Sequence, residues 1–460
     1  MIVIAHKRAL LMARARFVPF ALVLAFVLSL GVLQAAAATL AEREVWPNGI
    51  TLLVAERPAI PIVTVRVYVR AGSVLDPPDH AGLANLTAEL LTRGTEKRTG
   101  NQIDEAIEFV GGSLGADAER DGATVSLSVL KKDLDLGLDL LAEVLLRPTF
   151  PIDELQKKVR EFQAAIRRDE QNPESVARKA MTPLLFPGHP YSHPVVGTLE
   201  SLGKIRRDDV EAFYRRHFRP DASIVVAVGD VKTAEIRQAL KQRLGAWARP
   251  AGQPLLPKVA SLHAPARSEP IQKDLTQTTI VLGRPSVRRG HPDYYPLQVA
   301  SYILGGGSAS RLYQHLREAK GLVYYVGSSI APGKYGSAFT VSFQTRNAAA
   351  QEALKSVWEE VARLGREPVT EEELRLAKDY LVGSFPLRTD TNAKVAGLLL
   401  MIEEQRLGLD YPAEFRRRVE AVTPEAIQKA VRAHLPPSSM SLVVVGDLKK
   451  AGFAGEQRAP

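Results

Sequence analysis

Val63, Val65, Val67 and Val69 alternate with Thr64, Arg66 and Tyr68. A period of two predicts a strand with one buried face. The period then changes. Leu83, Leu86, Leu90 and Leu91 recur at helical spacing over residues 81–93 and predict an amphipathic helix. Thr99 and Gln102 stand three apart, as a capping box requires. A second helix follows them with Ile103, Ile107 and Val110 inward, stopped by Gly111-Gly112. Val125, Leu127 and Val129 alternate with Ser126 and Ser128 in another strand. A Leu-rich helix then runs to Pro148, and a long charged helix covers about 152–170 and ends near Asn172-Pro173. Residues 207–218 predict a further helix, and residues 224–228 a buried strand ending in Gly229-Asp230.

Residues 249–275 begin Arg249-Pro250-Ala251-Gly252-Gln253-Pro254, continue with more Pro, Ser and Ala without a sustained period, and predict a linker. The chain beyond repeats the first half. His217 lies 12 residues before the Gly of Val228-Gly229-Asp230, and His434 lies 12 before the Gly of Val445-Gly446-Asp447. Thr124-Val125-Ser126-Leu127 has a counterpart in Thr340-Val341-Ser342-Phe343, and Pro151…Glu154-Leu155 has one in Pro368…Glu373-Leu374. The offsets are 217, 216 and 219. Offsets this constant predict a duplicated unit of about 217 residues. The expected organisation is two homologous α+β domains at 39–248 and 276–448, with a tail at 449–460.

The 460 residues are 45% hydrophobic and 24% charged, with 33 Gly and 30 Pro, a composition that excludes disordered and collagen-like chains. Cysteine is absent, which excludes disulfides, thiolate metal sites, thiol nucleophiles and cysteine-linked lipids. The net charge is +9, and Lys7, Arg8, Arg14 and Arg16 supply four of those charges in an acid-free stretch. An apolar run over 17–33 and Ala35-Ala36-Ala37-Ala38 follow. A basic start, an apolar core shorter than the ~20 residues of a spanning helix and small residues at the cut predict a signal peptide over 1–38. A retained N-terminal anchor is the alternative. Both readings export the chain from about residue 39, to the periplasm in a Gram-negative cell. No later stretch predicts a membrane span, and export argues against nucleic acid as the partner of the positive charge.

The segment His80-Ala81-Gly82-Leu83-Ala84-Asn85-Leu86-Thr87-Ala88-Glu89-Leu90-Leu91-Thr92-Arg93-Gly94-Thr95 resembles the zinc-helix region of the M16 (insulinase and pitrilysin-like) metallopeptidases. Further matches are Asp169-Glu170-Gln171-Asn172-Pro173-Glu174, Pro187-Gly188-His189-Pro190-Tyr191 and Gly197-Thr198. In the second half they are Leu304-Gly305-Gly306-Gly307, Ser310-Arg311-Leu312-Tyr313 and Arg317-Glu318. The resemblance covers about residues 45–447. It implies two homologous M16-like domains, each a mainly antiparallel sheet packed with helices, forming a clamshell around a peptide chamber. Active members of that family carry H-x-x-E-H on this helix. The two His hold zinc, the Glu activates the metal-bound water, and a downstream Glu completes the ligand set. Carried onto this sequence, Asn85 stands at the first His, Ala88 at the catalytic Glu, Glu89 at the second His and Ala165 at the downstream Glu. The resemblance therefore implies a member with no base, no metal or other cofactor of its own, and no peptidase activity alone.

Other residues do not rebuild such a site. None of the nine His has H-E-x-x-H or H-x-x-E-H spacing. His189 and His193 are four apart, but Pro190 and Pro194 oppose a helix there. No Ser stands in a G-x-S-x-G elbow. Gly305-Gly306-Gly307 lacks the G-K-[ST] of a phosphate loop and predicts a tight turn. Arg206-Arg207 with Arg215-Arg216, and Arg416-Arg417-Arg418, read as solvated helix faces. Arg317 and Tyr324 lie seven apart, from a helix end across a turn to a strand start. In the resembled family an Arg and a Tyr at these places face the zinc helix, hold the substrate backbone and stabilise the developing oxyanion, for which both are suitable donors. Tyr325 is expected on the opposite strand face. The resemblance implies a subunit that pairs with a zinc-carrying M16 homologue and shares its peptide substrates. A peptide-binding or scaffold protein without a peptidase partner is the second reading. A self-sufficient peptidase with unusual ligands is the third.

Overall fold

The computed structural model describes residues 40–255, 257 and 264–453. The expected signal segment 1–38, part of the expected linker, the end of the tail, His6 and His263 lie outside the described residues. Among the described residues no helix is long and apolar enough to cross a membrane.

Eleven described strands form two sheets. The first contains β1 (Glu42–Val45), β2 (Thr51–Glu56), β3 (Ile62–Val69), β4 (Ser113–Ala118), β5 (Ala123–Leu130) and β6 (Ser223–Gly229), in the order β1-β2-β6-β3-β5-β4. The second contains β7 (Ser268–Gln272), β8 (Gln277–Ser286), β9 (Val323–Pro332), β10 (Ser337–Arg346) and β11 (Ser441–Gly446), in the order β7-β11-β8-β10-β9. With β1 set aside the two orders correspond strand for strand. The pairing sense corresponds too: β2 is parallel to β6 as β7 is parallel to β11, and the other pairs are antiparallel. The duplication expected from three landmarks is thus present in the topology, and the fold is α+β with two M16-like halves.

The periodic segments form the elements their patterns predict. Val63, Val65, Val67 and Val69 are fully buried and Thr99 and Gln102 close a capping box. The charged helix is Ile152–Asp169, and Asn172 caps the next helix, Pro173–Leu185. Two features differ from expectation. β7 lies inside the stretch 249–275 expected as linker, so the second domain begins before residue 276. Its composition is polar, but its inward backbone groups pair in parallel with β11 at the sheet edge. β4 reads Ser-Leu-Gly-Ala-Asp-Ala, too polar to predict, and is held by its register with β5.

β6 and β11 are buried at every position. Their uninterrupted apolar runs need cover on both faces. Each half supplies one face of its own sheet: the helices Leu83–Leu90 and Leu134–Leu146 pack on β5, and Tyr294–Gly305 packs on β9. The other face is covered from across the molecule. The helix Pro173–Leu185 of the first half packs on β11 and β8, while Asn392–Gln405 of the second half packs on β6 and β3. The two halves therefore exchange a helix. Ala177, Met181 and Leu185 join Val281, Val443 and Val445 in one core cluster.

The motif around Pro187-Gly188-His189-Pro190-Tyr191 ties the halves as well. His189 Nδ1 accepts the Tyr191 N–H at 2.9 Å, and Nε2 donates to the Tyr335 carbonyl at 3.2 Å. The buried Tyr191 hydroxyl donates to Asp121 and accepts the Tyr335 N–H at 3.2 Å, and Asp121 accepts the Lys334 N–H at 3.0 Å. The loop histidine is structural. Tyr191→Phe should lower unfolding stability by about 1–3 kcal/mol, because two buried partners lose their bond. Urea denaturation followed by circular dichroism checks this, and a wild-type midpoint would show that the tie lies elsewhere.

Candidate functional site

The helix Leu83–Leu90 is set in place by its own motif. Gly82 is its N-cap, with φ +97°, and has no side chain to cap it. Asp76 does so instead, accepting the Gly82 N–H at 2.9 Å and the Ala84 N–H at 2.8 Å. Burial pushes the Asp76 carboxyl up to about 7 against the pull of these two bonds. A Cβ on Gly82 would stand 3.0 Å from the Gly197 backbone, and Ser201 Oγ donates to the Ala81 carbonyl at 2.7 Å. The Gly197-Thr198 motif thus packs against the start of this helix.

The family's metal set does not fit here. Asn85 is buried, and its Oδ1 accepts the Ala118 N–H of β4 at 3.1 Å. Ala88 is fully buried and Ala165 is half-buried on Ile152–Asp169, and neither carries a donor atom. Glu89 is held by Lys158, whose ammonium lies 3.0 Å from Glu89 and 3.0 Å from Glu161. Partial burial pulls Lys158 down, but its hydrogen bonds to Glu161 and Glu89 outweigh that and hold it above the ordinary lysine value. A fixed lysine charge beside the one remaining acidic position opposes a divalent cation.

Arg317 and Tyr324 are brought together. Arg317 lies in the π-helical segment Tyr313–Ala319. Its guanidinium sits 4.9 Å from the Tyr313 ring centre and 5.3 Å from that of Tyr324, within cation–π range. Tyr324 is 79% exposed. Thr345 pairs with Val323 and Gln344 with Tyr325, so Tyr324 is the extra residue of a β-bulge. The bulge cancels the alternation expected of Tyr324 and Tyr325, and both are exposed.

Tyr325, not Tyr324, lines a cavity of about 550 Å³ between the helix Pro173–Leu185 and the β8-β10-β9 face. Arg120, Glu174 and Arg178 come to this cavity from the first half; Ser329 and Thr340 come from the second. Strand alternation could not expose Tyr325, because a one-residue bulge leaves no mark in the hydrophobic pattern. The other sequence candidates have structural roles. Arg311 is buried in a bidentate pair with Glu373 at 2.6 and 2.8 Å. Gly305 lets its helix approach β9, where a Cβ would meet the Ser328 amide at 2.6 Å. Arg416 and Arg417 pair with Glu420 and Glu414 on their own helix.

Two family models match in sequence order. Residues 51–199 match Insulinase (Peptidase family M16), and residues 204–381 match Peptidase M16 inactive domain. The chain belongs to the M16 peptidase family. This M16 chain is 27% identical over 416 residues to an uncharacterized zinc protease of Streptomyces coelicolor, covering 89% of this chain and 90% of the relative. It is 26% identical over 432 residues to a protein of Helicobacter pylori described as a non-peptidase homolog, covering 91% and 96%. The crystal structure of a peptidase M16 inactive domain from Pseudomonas fluorescens superposes with a TM-score of 0.83 at 28% identity, covering 88% of this chain and 97% of that one.

The buried bond of Asn85 makes this position part of the fold. Asn85→Ala should destabilise the chain by about 1–3 kcal/mol, since the Ala118 N–H loses its acceptor away from water. Chemical denaturation measures it. A change within about 0.5 kcal/mol, as at ordinary surface sites, would remove the structural role of Asn85.

Proposed function

We propose that this M16 member is an exported, non-catalytic subunit that pairs with a zinc-carrying homologue to form a peptide-degrading or peptide-processing protease. The observation that carries the reading is the contrast between two parts of the chain. The helix at Leu83–Leu90 keeps its Asp76 cap and its glycine contact while the ligand and base positions hold Asn85, Ala88, Glu89 and Ala165. Tyr324 meanwhile is exposed and Arg317 half-buried, the two are mutually oriented, and among the described residues the carboxylate nearest the guanidinium is that of Glu318 at 3.9 Å. A guanidinium and a phenol fixed side by side can donate to a peptide carbonyl and to the charge that develops on it. The partner would supply metal and base, and this chain the donors. The relative described as a non-peptidase homolog supports a role without hydrolysis by this chain alone.

A second reading, a peptide-binding or scaffold protein without a peptidase partner, is favoured by the cavity between the halves. That cavity carries Tyr325, Arg120 and Arg178 within one chain and needs no second subunit.

Co-purification from the native envelope separates the two readings. An H-x-x-E-H homologue should accompany this chain, and the chain alone should show no chelator-sensitive cleavage of unstructured peptides. In the reconstituted complex Tyr324→Phe should lower turnover by roughly 10²–10³, or ~3–4 kcal/mol, with assembly intact. Equal turnover would remove the assigned role of Tyr324. A loss confined to Tyr325→Phe would move substrate contact to the cavity. Isolation of the chain without any such homologue would favour the scaffold reading.

A further inference from the structure

His291, Asp293 and His434 converge at the junction of two helices of the second half. Asp293 is the N-cap residue of Tyr294–Gly305, and His434 ends Pro424–His434, 141 positions later. Each offers one ligand atom, and these atoms all lie within 4.8 Å of one another. His434 Nε2 donates to Asp293 Oδ2 at 2.8 Å, and His291 Nδ1 lies 3.8 Å from the same oxygen. We propose that these three side chains form a binding site for a borderline divalent transition-metal ion such as zinc. The site is separate from the family's degenerate metal helix and does not rest on the subunit reading above.

The chemistry of the set selects the ion. Two imidazoles and one carboxylate suit zinc, nickel or copper(II) better than magnesium or calcium, which prefer all-oxygen shells. Tetrahedral zinc with bonds of about 2.0–2.1 Å places its ligand atoms roughly 3.3 Å apart. The 2.8 Å separation must open slightly and the 3.8 Å separation must close slightly. The His291 side chain is 43% exposed and can turn. Its Nδ1 now accepts the Asp293 N–H at 3.0 Å, so an ion bound there competes with a single backbone bond. At His434 the ion takes the Nε2 lone pair once the proton has moved to Nδ1. Water fills the fourth position.

Two further observations point the same way. Asp293 occupies an N-cap position yet makes no capping bond to its own helix; its carboxylate is turned to His434 instead. His434 lies at a helix C-terminus, where unsatisfied carbonyls favour positive charge. The duplicated half gives an internal comparison. The counterpart of His434 is His217, which is buried 4.5 Å from the Phe213 ring centre. Burial, with Arg216 and Arg219 nearby, holds it down to about 4. Two nearby guanidiniums oppose a cation at the first-half position, whereas a carboxylate faces His434 at the second-half position.

A bound ion would clamp the end of Pro424–His434 to the start of Tyr294–Gly305. The set contains no carboxylate beyond the ligand Asp293. Zinc bound at these helix ends would not by itself restore the self-sufficient peptidase reading.

Zinc chloride titration of the full chain, stripped with EDTA and desalted, tests the proposal by calorimetry and thermal melting. One equivalent should bind, and the melting temperature should rise by a few degrees, reversed by EDTA and absent with magnesium. His291→Gln, at an exposed position that leaves the core intact, should weaken binding at least about tenfold. Asp293→Asn should do the same. No zinc-dependent shift in the wild-type chain would overturn the proposal. So would a shift of unchanged size in both variants. A peptidase assay does not enter this test, so the subunit reading and the metal site can fail separately.

Discussion

Two strands that must be buried on both faces govern this molecule. β6 and β11 each run through a sheet as an unbroken apolar segment, and one layer of helices covers only one side of a sheet. Fully burying a Val or Ile side chain is worth about 1.5–3 kcal/mol, so an uncovered second face would forfeit a large share of a domain's net stability. The chain resolves this by reciprocal loan: Pro173–Leu185 covers β11 and Asn392–Gln405 covers β6. Neither half has a complete core without the other. The cavity between Pro173–Leu185 and the second sheet, and the Tyr191–Asp121–Tyr335 tie, follow from that exchange.

The degenerate metal helix is intelligible in the same frame. A helix that holds zinc must turn polar ligands into a cavity, whereas a helix that only packs can bury small and amide side chains. Leu83–Leu90 is of the second kind. Ala88 disappears into the core, Asn85 caps a strand amide, and Lys158 supplies a fixed charge beside Glu89. The Asp76 cap and the Gly82–Gly197 approach remain because they position the helix, whatever the helix carries.

Arg317 and Tyr324 differ from the buried arginines in one respect. Arg311 and Arg219 are buried and closed into bidentate carboxylate pairs, which commit two nitrogens of each guanidinium to holding the structure. Arg317 is oriented by two aromatic rings instead. Ring faces hold a guanidinium in place without using its N–H groups. That makes orientation compatible with binding something from outside the chain.

Local chemistry was legible in the sequence wherever one segment determines its own state. The valine alternation of β3, the Thr99–Gln102 box, the charged helix before Asn172 and the loss of the H-x-x-E-H set are all written within short windows. The duplication was legible because a constant offset survives divergence. Three things were decided by tertiary structure. β4 and β7 are polar segments made into strands by their neighbours, since a sheet edge supplies hydrogen bonds whatever the side chains are. The bulge that puts Tyr325 beside a cavity arises from register with β10, which the strand's own pattern does not encode. The convergence of His291, Asp293 and His434 depends on two helices meeting end to start. Hydrophobic periodicity determines which face of a helix turns inward, but the packing of the whole core determines which residues its ends bring together.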